Sequence, residues 1–341
     1  MTNLEMLNGY GYEQISYFEN KAAGLKCIIA IHSTKCGPSL GGCRLYPYRN
    51  QEDALFDVLR LSRGMSYKNS AANLPLGGAK AVIIADPSEK TDAMFEAFGE
   101  CVESLGGRYY TAEDVNTDTA DMDKVLKTTQ YVTGRSNISG DPSPYTALGC
   151  FEGIKSVARY IYGSDDLTGK TFAVQGLGNV GYKLAAMLRK AGGNIIACGN
   201  SKPEVLKKFA DEYGAVIVDK NDIYKQECDF LVPCALGAVI NYETLPQLKC
   251  KAVAGCANNQ ILDDECAKLL KEKGIVYAPD YIINAGGVIS VGQEAFTTYD
   301  AENVRNQCIN IGKTVTRVIE EAGKLNLPEG FVADRIAEER L

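Results

Sequence analysis

Histidine is almost missing from this chain. Its 341 residues contain one, His32, which excludes His-rich zinc sites and leaves any Ser-His-Asp or Cys-His mechanism dependent on a single side chain. That residue lies in the apolar run CIIAIHST and reads as a satisfied core or strand-end residue. Acid–base work must therefore fall mainly to Lys, Asp, Glu, Tyr or Cys. C-x-x-C pairs are absent too. The twelve cysteines stand at 27, 36, 43, 101, 150, 198, 228, 234, 250, 256, 266 and 308, a spacing that fits neither a zinc ribbon nor a thioredoxin-type site, so no metal is expected. They read as thiols, most of them small buried residues. No apolar run approaches the ~20 residues that span a bilayer, and MTNLEMLNGYGYEQ lacks the basic and apolar regions of a signal peptide. A cytoplasmic protein without membrane contact is expected. Basic excess is missing as well: 36 Lys and Arg against 43 Asp and Glu leave a net charge of −7, which argues against nucleic acid as a partner.

What is present describes a globular enzyme-sized chain. At ~150 residues per domain the length implies two domains, and a hydrophobic content of 45% supplies a core for each. In the first part, LKCIIAIHS and AVIIADP read as strands, the second ended by Pro87. DALFDVLRLSRGMSYKNSAAN and TDAMFEAFGECVESL carry apolar residues at helical spacing, with Gly106-Gly107 stopping the latter. TGRSNISGDPSPYTALG concentrates turn residues and reads as a hinge or linker. YTALGCFEGIKSVARYIYG then opens a second domain as a helix. From Lys170 the alternation is regular. TFAVQG, NIIACG, AVIV, DFLVPCA, AVAGCA and IVYAPDYIINAGG read as strands, with NVGYKLAAMLRKAGG and KPEVLKKFADEYG as helices between the first of them. Such alternation indicates βαβ units and a parallel sheet. The expected fold is α/β: an N-terminal substrate and assembly domain over 1–134, a doubly wound Rossmann-type domain over 135–305, and C-terminal helices over 306–341 that pack back across the hinge.

Gly176, Gly178 and Gly181 form G-x-G-x-x-G in QGLGNVGYKLAAML. The motif follows a strand and opens a helix, the context in which it marks a dinucleotide site. Gly176 permits the tight turn, Gly178 the approach of backbone to a pyrophosphate, and Gly181 close helix–strand packing; the helix N-terminus offers N–H groups to the phosphates. The acidic residue that receives the adenosine ribose is missing. After NIIAC the chain reads Gly199-Asn200-Ser201-Lys202, where Asn200 can bond a ribose and Ser201 and Lys202 can meet a 2′-phosphate, so the choice between NAD and NADP stays open.

Lys68 in GMSYKNSAA and Lys80 in LPLGGAKAVII stand beside glycine-rich or apolar backbone. Each reads as a solvated loop-edge amine or as a poorly solvated one suited to act as a base. Asp114 in RYYTAEDVNT follows a short aromatic strand, where it suits a helix cap or turn.

Taken together, GPSLGGCR, RGMSYKNSAANLPLGGAKAVI, GRYYTAEDVNT, VQGLGNVG, VPCALGAVIN, CANNQ and APDYIINAGGVI resemble the leucine, phenylalanine and valine dehydrogenase branch of the amino-acid dehydrogenases, the leucine enzymes most of all. The resemblance runs along the whole chain. It implies NAD(P)-dependent reversible oxidative deamination of an L-amino acid to a 2-oxo acid and ammonia. It makes Lys68 the holder of the substrate carboxylate, Lys80 the base that activates water against an iminium carbon, and Asp114 the proton shuttle at the amino nitrogen. It gives Asn259 and Asn284 the orientation of substrate and nicotinamide, and brings Thr146 to the nicotinamide amide. Leu177, Asn179, Val180 and Ala235 join the glycine motif as cofactor contacts. Leu40, Gly41, Met65, Ala112, Val288 and Val291 surround the substrate side chain.

The Leu40, Gly41, Ala112, Val288 and Val291 positions are uncharged and aliphatic, which excludes glutamate and favours leucine, valine and isoleucine over phenyl or indole rings. Ala112, helped by Gly41, is where such a ring could enter, and the same reaction on phenylalanine or tryptophan is the alternative. A domain closure over the substrate and a homo-oligomer, dimer or octamer, are further expectations. Two departures stand out: the leucine members usually carry Asp where Gly199 stands, and they run past the terminal AEERL. A competing reading from another class is a non-catalytic dinucleotide-binding sensor whose cysteines report redox state. Retention of Lys68, Lys80 and Asp114 together argues against it.

Overall fold

The computed structural model describes residues 3–199, 202–235, 237–296 and 298–341. The chain forms two compact units, one of Met1–Pro142 with Ser290–Asp300 and Ala337–Leu341, the other of Ser143–Ile289 with Ala301–Ile336.

The first unit contains α1 (Asn3–Tyr10), β1 (Gln14–Asn20), β2 (Leu25–Ser33), β3 (Ser39–Tyr46), α2 (Gln51–Ala71), β4 (Gly77–Ile84), α3 (Asp92–Glu103), β5 (Tyr109–Glu113) and α4 (Thr119–Val125). Its sheet runs β1-β2-β4-β3-β5, antiparallel over the first three strands and parallel over the last three. The continuous apolar run of β2 follows from burial on both faces. On one face Ile29, Ile31, Leu45 and Ile83 pack against Phe95 and Phe98 of α3. On the other, Ile28, Ala30 and Val82 pack against Val58 and Leu59 of α2. Asn50 caps α2 by accepting from the Asp53 amide at 2.8 Å, and Thr91 caps α3 in the same way through Met94; each satisfies an otherwise orphaned N–H.

All three expected strands, the short aromatic one as β5, and both expected helices of this unit form. β1 and β3 were not expected, because QISYFEN and SLGGCRLY contain no apolar run. β4 begins at Gly77, before the AVII segment, so that Lys80 stands inside the strand rather than at its entrance. In the β2–β4 register Lys80 stands opposite Ala30. His32 is a core residue as expected: its ring nitrogens lie 2.8 Å from Ser66 Oγ and 3.1 Å from Tyr10 O.

The second unit opens with α5 (Ser143–Tyr162) and continues through β6 (Thr171–Gln175), α6 (Asn179–Lys190), β7 (Asn194–Cys198), α7 (Pro203–Tyr213), β8 (Val216–Ile217), β9 (Phe230–Pro233), β10 (Ala252–Val253), α8 (Asp264–Glu272), β11 (Val276–Tyr277), α9 (Asp280–Ile283), α10 (Gly286–Gln293), α11 (Ala301–Leu325) and α12 (Glu329–Glu338). All six strands are parallel, in the order β11-β10-β9-β6-β7-β8. This is the doubly wound arrangement, and β6 and β9 flank the point where strand order reverses. One expected strand is corrected. IVYAPDYIINAGG pairs only through Val276 and Tyr277, and Pro279 then starts α9, since a proline is pre-set for a helix start and cannot donate to a ladder.

The linear division at 134 and 305 differs from this packing. α11 buries Val304, Cys308, Ile311, Val315 and Val318, and Gly149 and Gly153 of α5 admit Ile311 and Val315. Ala337–Leu341 join the first unit, where the Arg340 guanidinium donates to Ser70 O and Leu74 O. Apolar stripes choose partners by burial, not by sequence proximity. All twelve cysteines are thiols, eight of them buried, and no helix among the described residues is long and apolar enough to cross a membrane.

Candidate active site

The centre of the first unit is an ion pair. Lys80 Nζ donates to Asp114 Oδ1 at 2.9 Å, with Lys80 buried and Asp114 just past the end of β5. Asp114 caps no helix; Asp118 caps α4 instead. The Asp114 amide donates to Thr117 Oγ1 at 2.8 Å, and that hydroxyl donates to Cys43 O at 2.8 Å, which fixes the turn carrying the carboxylate. Burial alone would raise the Asp114 pKa, but the charges and hydrogen bonds of Lys80 and Arg44 outweigh it and hold the carboxyl well below the usual range. Arg44 was not foreseen. Its Nε donates to Asp114 Oδ2 at 2.8 Å and its Nη1 to Asp57 Oδ2 at 2.8 Å. The signal for it was strand parity: in SLGGCRLY, Gly42 and Arg44 share a face.

The β3–β4 register reads Leu40 with Gly78 and resumes at Cys43 with Ala81, so Gly41-Gly42 stand beside Ala79-Lys80. A Cβ on Gly42 would lie 2.4 Å from Glu113 O and 2.9 Å from Asp114 Cβ. The absence of that side chain lets Asp114 reach Lys80. A Cβ on Gly41 would lie 1.7 Å from Ala79 O and 3.3 Å from Met65 Cγ, so Gly41 serves close strand packing and opens no room for a larger substrate ring, contrary to the help expected of it.

Ala112 pairs with Gly42 across β3 and β5, and Leu40 lies against the Gly292 position. Val291 is buried in this unit, its Cγ1 3.7 Å from a Cβ built on Gly134. Met65 and Lys68 are half-buried on α2, one turn apart. The first unit therefore gathers Leu40, Met65, Lys68, Lys80, Ala112, Asp114 and Val291. Val288 belongs to the second unit.

In the second unit the glycine motif has the geometry its spacing implies. Gly176 has φ +100°, and a Cβ there would stand 2.7 Å from Ala235 Cβ, joining the ends of β6 and β9. A Cβ on Gly181 would meet Gly176 O at 2.0 Å, while that of Gly178 would meet nothing within 4 Å, leaving the backbone open to a pyrophosphate. Gly178 caps α6 without a side-chain bond, so the first-turn N–H groups of Asn179 and Val180 are presented to an anion. Leu177 is buried and its amide donates to Gly199 O at 3.0 Å. A cavity of about 470 Å³ is lined by Gly178, Asn179, Lys183 and Lys202 among others. Asn200 and Ser201 lie outside the described residues.

Asn284 is buried. Its Nδ2 donates to Cys256 O at 3.2 Å and to Asn258 Oδ1 at 2.7 Å, while its Oδ1 is buried with no partner among the described residues. Asn258, one position before the expected Asn259, is thus the side chain that meets Asn284. Asn259 is exposed, in the left-handed region with φ +50°, and its carbonyl accepts from Ala238 N. Thr146, on the first turn of α5, lies beside Gly286, whose Cβ would stand 2.9 Å from the Thr146 amide. The glycine cradle, the open helix terminus and the orphaned Asn284 carbonyl fit a nicotinamide dinucleotide.

A doubly wound dinucleotide unit joined to an α/β unit in which a buried lysine is paired with an aspartate defines a two-domain dehydrogenase. Residues 14–131 match the model of the Glu/Leu/Phe/Val dehydrogenase dimerisation domain, and 139–209 with 201–328 that of glutamate/leucine/phenylalanine/valine dehydrogenase. The chain is 49% identical to leucine dehydrogenase of Geobacillus stearothermophilus over 100% of its own length and 94% of the relative's. It is 48% identical to phenylalanine dehydrogenase of Lysinibacillus sphaericus over 84% of its length and 77% of the relative's. The crystal structure of L-tryptophan dehydrogenase from Nostoc punctiforme superposes with a TM-score of 0.87 at 40% identity, covering 99% of this chain and 98% of that one. The chain belongs to the Glu/Leu/Phe/Val dehydrogenase family and is an NAD(P)-dependent amino-acid dehydrogenase.

Proposed function

We propose that this enzyme deaminates branched-chain L-amino acids, leucine, valine and isoleucine, reversibly to their 2-oxo acids and ammonia. The observation that carries the reading is the Lys80–Asp114 pair at 2.9 Å, its lysine buried and its aspartate half-buried, in a unit that also holds Leu40, Ala112 and Val291, all buried and uncharged. Lys68 holds the substrate carboxylate by charge-assisted hydrogen bonds. Asp114 exchanges protons with the substrate nitrogen, and Lys80, when neutral, takes a proton from the water that adds to the iminium carbon. A bound nicotinamide supplies the hydride acceptor. Gly176, Gly178 and Gly181 with the α6 N-terminus hold its pyrophosphate, aided by Leu177, Asn179, Val180 and Ala235. Asn284, oriented by Asn258, and Thr146 hold the carboxamide end, with Asn259 and Val288 completing the substrate contacts.

A second carboxylate on the substrate side chain would find no cation among those aliphatic residues, at a cost of several kcal/mol, which removes glutamate. The wall at Gly41 is closed by Ala79 O, which favours aliphatic over aromatic side chains. A substrate panel tests this: leucine, valine and isoleucine are expected within about two orders of magnitude in kcat/KM, since a methylene is worth ~1–3 kcal/mol, with phenylalanine below them. Preference for phenylalanine or tryptophan over leucine overturns the pocket argument and leaves the reaction class standing.

Both NAD and NADP serve as cofactors in this reading. Among the described residues Lys183 and Lys202 line the cavity at the glycine turn and no carboxylate does, so no lining residue described there repels a 2′-phosphate. The enzyme acts as a homo-oligomer, dimer or octamer, assembled through the first unit, where Tyr17 and Phe56 are exposed.

A further inference from the structure

We infer that Arg44, anchored by Asp57, is a positioning residue for the reaction: it occupies one oxygen of Asp114 so that only the other faces Lys80. Its role rests on the deamination reading above. The geometry is a chain of alternating charges. Lys80 Nζ takes Asp114 Oδ1 at 2.9 Å, Arg44 Nε takes Oδ2 at 2.8 Å, and Arg44 Nη1 continues to Asp57 Oδ2 at 2.8 Å.

Asp57 is buried on α2 and fully engaged. Its Oδ2 also accepts from Tyr48 OH at 2.6 Å and its Oδ1 from Arg60 Nε at 2.8 Å. Three donors hold this buried carboxylate in one orientation, and the arrangement fixes the guanidinium plane that faces Asp114. A guanidinium bridges two carboxylates in a fixed fork, which an ammonium cannot do. With Oδ2 held, Asp114 has one oxygen left for proton exchange, on the side of the Lys80 amine. Loss of the fork frees the carboxylate to rotate and to pair Lys80 through either oxygen, which misplaces the proton acceptor rather than removing it.

Arg44→Met, Arg44→Lys and Asp57→Asn enzymes test this, each compared with wild type for kcat, for KM of leucine, and for NADH binding by fluorescence titration. Arg44→Met is expected to lower kcat by on the order of 10²-fold, the scale of a misplaced catalytic group, with KM and NADH affinity within about threefold of wild type. Arg44→Lys keeps the charge without the bridge and is expected between the two. Asp57→Asn is expected to lower kcat in the wild-type background and to add little in the Arg44→Met background, the non-additivity of one connected network.

A kcat within twofold of wild type in Arg44→Met, or a loss of kcat matched by equal losses in NADH-binding capacity, overturns the role of Arg44 alone. If Arg44→Met does not fold, the Arg44→Lys split between kcat and KM decides in its place. Absence of leucine turnover in the wild type would overturn the deamination reading, and the role of Arg44 with it.

Discussion

Asp114 lies between two cations from different strands, Lys80 of β4 on one oxygen and Arg44 of β3 on the other. The carboxylate is kept ionised by that pairing against the effect of burial. Lys80→Ala is expected to retain fold and NADH binding and to lose kcat by on the order of 10³-fold or more, the upper part of the range for a general acid–base group. Arg in its place is not expected to restore turnover, because a guanidinium does not become neutral in proteins. Turnover of Lys80→Ala within tenfold of wild type would remove Lys80 from the chemistry.

Gly42 tests the steric side of the same pair. Gly42→Ala places a methyl 2.9 Å from Asp114 Cβ and 2.4 Å from Glu113 O, an overpacking that costs about 1–3 kcal/mol and moves the carboxylate off Lys80. Both thermal midpoint and kcat are expected to fall. Gly64 of α2 is the control, since nothing lies within 4 Å of its Cβ position. Gly64→Ala gains about 1 kcal/mol of helix propensity, and the midpoint is expected to rise with kcat unchanged.

The single histidine offers a clean titration. Burial, aided by the Arg63 charge, pushes the His32 pKa down to about 4, so the folded ring is neutral where the unfolded one, near 6.5, is still protonated. The unfolded state then binds more protons between pH 6.5 and 4, and stability contributed by the neutral ring above that window is lost as pH falls through it. One imidazole resonance is expected to titrate near pH 4 in the folded protein. A midpoint near 6.5 would contradict the burial and the bonds to Ser66 and Tyr10.

At the cofactor site, Gly199→Asp is expected to shift preference towards NAD by repelling a 2′-phosphate, and Lys202→Glu to raise KM for NADP with little effect on NAD. Gly199 has φ +72°, a region that Asp tolerates better than most residues. Strict NAD use by the wild type, by more than about 10³-fold, would exceed what a site with no opposing charge can deliver.

Much of this was legible in the sequence, because periodicity and glycine spacing report local structure. The G-x-G-x-x-G turn, α2, α3, α5 and the alternating second unit follow from residues close together in the chain. What escaped were features made by distant residues. Arg44 reads as an ordinary surface cation until β3 and β5 bring it to Asp114, 70 positions away. The bond from Asn284 to Asn258 joins residues 26 positions apart, and nothing in CANNQ marks which asparagine makes it. Gly41 looked like open space, whereas the Ala79 carbonyl of a neighbouring strand fills it.

The most direct measurement is the oxidation of NADH, followed by its absorbance, in the presence of 4-methyl-2-oxopentanoate with and without ammonia. Consumption that requires both ammonia and the oxo acid, yielding leucine, is the expected result. Binding of NADH without any ammonia-dependent turnover would contradict the account and leave a dinucleotide-binding protein whose Lys80–Asp114 pair has no catalytic role.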